Sequence, residues 1–503
     1  MIKNIALLSL IVSQTLLAAN TINDDKTNYE APRLAGDSLA IKPLDKSDQE
    51  QDVNSISEMF SKGKVKGLVR YSAQHRDTSY HSTQSGISPQ SNNKQQYSAL
   101  GGYLGYETAS YKNISLGTTF YTAQNIGPNP DDKLGLGGLN EDGASANSYA
   151  VLGEAYLKYK LSEHDIRVGR REMPDYRFVS LSNIRVSPYT HEGVTYENTM
   201  FDGLKLDLAY ITAQKGRNSQ EFEGMVRAAR VSEGSATNHN IRGDYDASNF
   251  TAGNYSGSNK AMSMLGLSYK GKNFSAEAWD YYVEDFVNTL YLYGDYNFKV
   301  SKEFTLTTAF QYAKQENVGS HVAGNIDTSF YGIKVQGAFK NGITLFGAYN
   351  SVAYNENSYS GGTLFVRWGT PQMFNSFQVQ DSELAGTKSL GLGAQFELGH
   401  MNLVPNTVIR FRYGIYDMPD SISDRDAAQD RTEATFDLRY SFNKNDGFGI
   451  FTEMKGLSVQ FRVAYNDYKT DYDFDAYRTE HGYTFSDVTD NFIDTRLYVD
   501  YLF

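Results

Sequence analysis

Arginine is the residue whose placement along this chain could do chemistry. Where segments alternate apolar and polar residues with a period of two, the arginines fall on the polar parity. Lys64, Lys66, Arg70 and Arg76 share it over 64–77, and Arg167 and Arg171 share it over 163–171. Toward the C-terminus Arg410 and Arg412, then Arg439, then Arg462, then Arg496 follow on four successive segments. In a closed sheet the last segment would lie beside the first, so Arg70 and Arg76 would extend the row. Guanidinium groups lining one wall of a water-filled space attract anions and carboxylates and concentrate them locally. The competing reading is a wall of mutual ion pairs with inward acids such as Asp437, Asp494 and Asp500. An arginine turned to lipid at mid-depth costs about 2–4 kcal/mol, which sets the inward face.

The elements that must hold such a row are membrane-crossing strands. Alternating segments are expected near 64–77, 97–107, 112–124, 149–161, 163–171, 192–199, 203–215, 260–270, 272–284, 287–299, 302–315, 326–340, 342–353, 387–398, 405–416, 431–443, 455–467 and 490–503. Most are long enough for a tilted strand in a bilayer and longer than usual soluble strands. Their number, about eighteen, is even, as single-chain bacterial barrels require. Connections alternate long and short: Lys270-Gly271-Lys272 and Lys340-Asn341-Gly342 are tight, whereas 78–96, 125–148, 216–259, 354–386 and 468–489 are long. Prolines fall in connections or at a strand start (Pro405). The fold class expected is all-β: a transmembrane antiparallel barrel, which leaves no unpaired edge in lipid.

Composition and termini agree with that class. The chain has 503 residues, 38 Tyr and 28 Phe against 2 Trp, and a formal charge of −12. Mean hydropathy is negative, as happens when polar lumen faces and loops cancel a lipid face. The acidic balance argues against a nucleic-acid partner. The absence of cysteine excludes disulfides and a cysteine-linked lipid. Lys3, an apolar run from Ile5 to Val12, and Ala18-Ala19 read as a signal peptide over 1–19. Residues 20–63 read as a flexible acidic periplasmic segment. It ends in a short amphipathic helix, started by the capping box Ser55-Ile56-Ser57-Glu58, that either braces the barrel mouth or merely leads into the first strand. The barrel itself spans 64–503.

One connection differs from the others. Residues 170–193 mix charge with Phe178, Leu181, Ile184 and Val186, whereas other loops are rich in Asn, Gly and Ser. Apolar residues in a loop need something to pack on. Folding inward as a pore constriction would satisfy them, with Arg171, Asp175, Arg177 and Arg185 at the narrow point. An external loop packed on its neighbours is the alternative.

These stretches resemble a known family. Residues 166–194, with Val168-Gly169-Arg170 at a strand end, Pro174, and Arg185-Val186-Ser187-Pro188 leading to Gly193, look like the third-loop region of OprD-type porins. Residues 59–77 are similar to the first strand in that family's branch from Campylobacter-like bacteria. The last strand places Leu497, Val499, Tyr501 and Phe503 on one face, and ending on Phe resembles the C-terminal assembly signal of outer-membrane barrels. The resemblance implies an eighteen-stranded porin for small nutrients, carboxylates or amino acids, and for ions. It implies that the third loop narrows the pore at Arg177 and Arg185, beside a ladder of Arg410, Arg412, Arg439, Arg462 and Arg496. The chain departs from the family pattern at Met173-Pro174-Asp175-Tyr176 and in the length of 216–259.

Other readings were weighed on the same residues. The eight histidines lack zinc spacing, and no nucleophile elbow or P-loop is present, so neither enzyme nor cofactor nor metal is expected. Asp471-Tyr472-Asp473-Phe474-Asp475-Ala476 has calcium-loop spacing without the required Gly, and reads either as a solvated acidic loop or as a divalent-ion bridge to lipopolysaccharide. About 45 residues before the first strand are too few for a receptor plug. A surface adhesin or structural barrel working through its long loops stays as the alternative function. Partners implied are small hydrophilic solutes, outer-membrane lipid and lipopolysaccharide, and the barrel-assembly machinery. A homotrimer and a monomer both suit a porin of this size.

Overall fold

The architecture was read from a computed structural model that describes residues 52–503 except 83–90, 128, 130–138, 143–144, 175, 180–184, 231–259, 323, 367, 370–372, 381, 420–429, 443–455 and 470–486. A helical turn, α1 (Ile56–Ser61), precedes the strands β1 (Lys64–Ser82), β2 (Ser91–Glu107), β3 (Ile114–Asn125), β4 (Tyr149–Leu161), β5 (His164–Arg171) and β6 (Thr190–Phe201). Next come β7 (Leu204–Lys215), the turn of helix α2 (Met225–Arg230), β8 (Met262–Lys270), β9 (Phe274–Val283), β10 (Val287–Lys299), β11 (Phe304–Asn317) and β12 (Asp327–Phe339). The last six are β13 (Ile343–Val352), β14 (Lys388–Glu397), β15 (Thr407–Asp417), β16 (Arg431–Ser441), β17 (Leu457–Tyr468) and β18 (Asp487–Leu502). Each is antiparallel to the next, and β18 pairs with β1, with Asp500 opposite Arg70 and Asp494 opposite Arg76. The result is a closed eighteen-stranded barrel with almost no helix.

Period-two patterning produces this wall directly. On β3, Ile114, Leu116 and Phe120 face out while Ser115, Thr119 and Tyr121 are buried inside. On β8, Leu265 and Leu267 face out and Met262, Met264 and Ser268 face in. Near the short-turn end, outward aromatics pair as Tyr296–Phe298, Phe304–Phe339, Tyr440–Phe442 and Tyr501–Phe503. This is the girdle expected where lipid meets headgroups. Phe503 closes the seam: its N–H donates to the Gly67 carbonyl at 3.0 Å, and its carbonyl accepts from the Gly67 N–H at 2.9 Å. The Phe503 ring lies on Gly67, where any side chain would collide with it. Leu497, Val499 and Tyr501 pair along β1 with Ala73, Tyr71 and Val69.

The eighteen expected segments all appear. β2 and β18 begin earlier than the alternation suggested, at Ser91 and Asp487. Strict long–short alternation fails at the long-loop end, where only residues 284–286 join β9 to β10. Asp285 turns the chain there with φ of +59°. The signal peptide, the acidic segment up to residue 51 and the acidic run at Asp471 lie outside the described residues.

Candidate functional site

The described parts of the third loop, 172–189 between β5 and β6, enter the barrel and meet opposite walls. Within β5, Gly169 adopts φ of +126° between Tyr156 and Gly193, where a Cβ would strike the Ala155 carbonyl. Met173, Tyr176, Phe178 and Val179 then pack on Trp279, Tyr281 and Tyr291 of β9 and β10. Tyr176 and Val179 close a turn with paired backbone hydrogen bonds (3.0 and 3.4 Å). Arg177, inside that turn, donates to both Glu277 oxygens (2.8 and 2.6 Å), with side chains only 3% and 2% exposed. Its guanidinium also lies 4.6 Å from the Tyr293 ring centroid. Arg177 therefore anchors the loop to the wall instead of standing in open lumen.

The returning limb is held by the opposite wall. Val186 packs among Tyr97, Ala99, Tyr121 and Tyr149. Arg185 donates to Gln74 Oε1 at 3.2 Å, and its carbonyl accepts from Arg70 at 2.8 Å. The fully buried Lys215 ammonium donates to Ser187 Oγ (3.0 Å) and to the carbonyls of Pro188 (3.0 Å) and Gly216 (2.7 Å). Arg171 donates to Thr195 Oγ1 (2.9 Å) and pairs with Glu197 at 3.5 Å. At the loop's first residue, the Glu172 N–H donates to Glu154 Oε1 at 2.9 Å. Burial, and then the Glu154 charge, push the Glu172 carboxyl up to about 7. Asp175 lies outside the described residues.

Two further loops enter the lumen in their described parts; the sequence marked both only as long. The seventh, 353–387 between β13 and β14, buries Leu364, Phe365, Val366, Trp368, Met373, Phe374, Phe377 and Val379. Gln315 clamps its backbone, accepting from the Phe365 N–H (2.7 Å) and donating to the Phe365 carbonyl (2.8 Å). Trp368 Nε1 donates to the Met225 carbonyl of α2, at 2.8 Å, so the fourth loop joins the same apolar mass. Farther on, the N–H groups of Gln378, Val379 and Gln380 all donate to the Glu433 carboxylate (3.0, 3.0 and 2.8 Å). Gln378 Nε2 donates to Asp494 Oδ1 at 2.8 Å. Apolar loop segments are massed along β8–β13, whereas from β14 round to β2 charged and polar wall residues are interleaved with Phe377, Val379 and Val186.

On that wall lies the arginine row. Cross-strand register places Gln395, Arg410, Asp437, Arg462, Arg496, Gln74 and Tyr97 opposite one another in sequence, from β14 through β18 to β1 and β2. Such partners share one face. Because barrel strands tilt by about 40° and lie about 4.8 Å apart, each step climbs roughly 3 Å along the axis. The row is therefore a ladder from the short-turn end toward the loops.

Its members are differently engaged. Arg70 forks onto Asp500 (2.7 and 2.6 Å). Arg76 and Arg496 share Asp494, at 2.8 and 2.6 Å. Arg462 sits 3.3 Å from Asp437. Arg410 donates to Gln395 Oε1 (3.0 and 2.6 Å). Arg412 donates to Thr435 Oγ1 (3.1 Å) and to the Ser376 carbonyl (3.4 Å). Arg439 makes no ion pair or hydrogen bond with a described residue. Arg167 stands apart on β5, paired with Asp165 (2.9 and 3.0 Å). Ion pairs thus run along the row, and Asp494 serves two of its arginines. Among the described residues no cluster of three or more His, Asp or Glu could hold a metal.

Comparison with known proteins agrees with this architecture. The family model for OprD, an outer membrane porin family, matches residues 127–487. Among solved structures, Pseudomonas aeruginosa OccK9 (OpdG) superposes with a TM-score of 0.64 at 17% identity, over 88% of this chain and 99% of that one. Acinetobacter baumannii OccAB1 gives 0.65 at 14% identity, over 91% and 99%. Pseudomonas aeruginosa OpdK, solved with vanillate, gives 0.62 at 17% identity, over 88% and 99%. No curated protein matches at the level of sequence.

Proposed function

The chain belongs to the OprD family of outer-membrane porins, and from that premise we propose that it admits small carboxylates or amino acids, with ions, by passive diffusion along its arginine ladder. As an outer-membrane channel for small solutes it sits among proteins that conduct and do not catalyse. The observation that carries the bias is the Arg410–Arg462–Arg496 register. It holds guanidinium groups at successive heights along the wall from β14 round to β2, apart from the apolar loop mass along β8–β13. A carboxylate moving down that row meets Arg496, Arg462 and, past Asp437, Arg410, and the interposed and shared acids keep any one site from binding too tightly for release. The third, fourth and seventh loops, in their described parts, turn inward, which favours a channel over an adhesin that needs them outside.

Single-channel recording in planar bilayers tests this. Discrete steps are expected, with a reversal potential under a salt gradient that indicates anion preference and moves toward cations in Arg462→Ala. Cation preference in the unaltered barrel would remove the ladder as its filter.

A further inference from the structure

α1 is too short to persist alone, yet it is fastened to the first short turn. The Met59 carbonyl accepts from the Ala109 N–H at 2.9 Å, and the Val53 N–H donates to the Ser110 carbonyl at 2.8 Å. Asp52 accepts from Ser110 Oγ (2.5 Å) and from the Asn113 N–H (3.1 Å). Half of the capping box forms, the Glu58 N–H donating to Ser55 Oγ, while the Glu58 carboxylate accepts from the Asn54 N–H, one residue before the cap. These contacts bury Met59 but leave the adjoining flank of the same apolar face bare. Ile56 is 62% exposed and Phe60 is 52% exposed, one helical turn apart.

The chain passes over the outer surface of the barrel at this point. Tyr106, on the outward parity of β2 with Leu100 and Leu104, donates its hydroxyl to the Phe60 carbonyl. Gly63 lies directly against the Tyr106 ring. The next outward residue of β1 is Val65, 61% exposed, and Phe503 lies beside it across the seam. The bare face of α1 is therefore continuous with the lipid-facing band at the short-turn rim.

We propose that α1 is an interfacial foot whose Ile56 and Phe60 side chains rest in the inner, phospholipid leaflet of the outer membrane, at the level of the aromatic girdle. An amphipathic turn held parallel to the surface by the protein suits the boundary between headgroups and acyl chains.

The test places Phe60→Trp in the full barrel, reconstituted into phosphatidylcholine vesicles with acyl chains brominated near the headgroup. Trp279 and Trp368 are buried on the lumen side and supply a constant background. The added emission should be blue-shifted, quenched by bromine as strongly as in a Val65→Trp control, and spared by aqueous iodide. Iodide quenching without bromine quenching would overturn the proposal and leave the face to a periplasmic protein or the cell wall. Should Phe60→Trp fail to fold, a spin label on Phe60→Cys substitutes, since the chain has no native cysteine. Greater accessibility to oxygen than to a nickel chelate supports the foot, and the reverse order overturns it.

Discussion

The Arg70 guanidinium donates to the Arg185 carbonyl at 2.8 Å while its other edge grips Asp500. One side chain thus ties the end of the ladder to the returning limb of the third loop. Lysine would keep the charge but could not reach both groups with one fork. Arg70→Lys should retain ion selectivity while open-channel current noise rises, because the loop loses its tether. Quiet recordings would show that Lys215 and Val186 suffice to hold the limb.

Arg439 separates electrostatics from packing, since no described residue binds it. A unit charge about 5 Å away in water is worth about 0.8 kcal/mol, or about fourfold in local anion concentration. Arg439→Ala should lower the anion-to-cation permeability ratio by about that factor and leave unfolding in denaturant unchanged. Loss of stability without a selectivity change would place Arg439 among the structural arginines.

Arg177 and Glu277 are the opposite case. Removing one member of a buried pair strands the other charge, typically at a cost of about 3–5 kcal/mol. Arg177→Ala should destabilise the barrel on that scale or release the loop, seen as higher conductance. Joint replacement by Arg177→Met and Glu277→Gln should recover most of the loss, as measured by urea unfolding in detergent.

The seventh loop hangs on Glu433, which is fully buried beneath three backbone N–H donors. Hydrogen bonds to a charged group contribute about 1.5–3 kcal/mol each, and leaving buried donors unpaired costs a similar amount. Glu433→Ala should speed amide exchange at Gln378–Gln380 and enlarge the conductance. Unchanged exchange would mean that the apolar contacts of Phe374 and Phe377 hold the loop alone.

The base of the third loop should respond to pH. Glu172 is raised to about 7 by burial and by Glu154, with Lys66, Lys215 and the Tyr121 hydroxyl also facing it. A carboxyl whose folded pKa lies above its unfolded value favours the folded loop below the unfolded pKa, near 4.5. That contribution is lost as pH rises through 7. Current fluctuations should therefore grow between pH 5 and pH 8 in the natural protein and stay flat in Glu172→Gln. An equal pH response in both would assign the effect to another group.

Strand positions and facing were legible because period-two alternation is local: parity alone placed Arg410, Arg412, Arg439, Arg462 and Arg496 on the inner wall. The third loop was legible because Phe178 and Val186 stand out among polar residues. Leu364, Phe365, Val366, Trp368, Phe374 and Phe377 give the same signal in the seventh loop, and length alone had suggested an external one. Which arginines are occupied could not be read that way. Arg177 meets Glu277 across 100 residues, and that pairing depends on where the loop lands on the opposite wall.

The seam between β18 and β1 joins the ends of the chain, and its Arg70–Asp500 bond links residues 430 positions apart. Contacts of such sequence separation carry the largest loop-closure cost and form slowly. Asp494, Arg496 and Asp500 all arrive with the last strand, so the row is completed only when the circle closes. A chain truncated or stalled before β18 would lack its partners for Arg70 and Arg76 and, through Arg70, the grip on the third loop. Sealing the cylinder and completing the ion pairs of its inner wall are then a single late event in biogenesis.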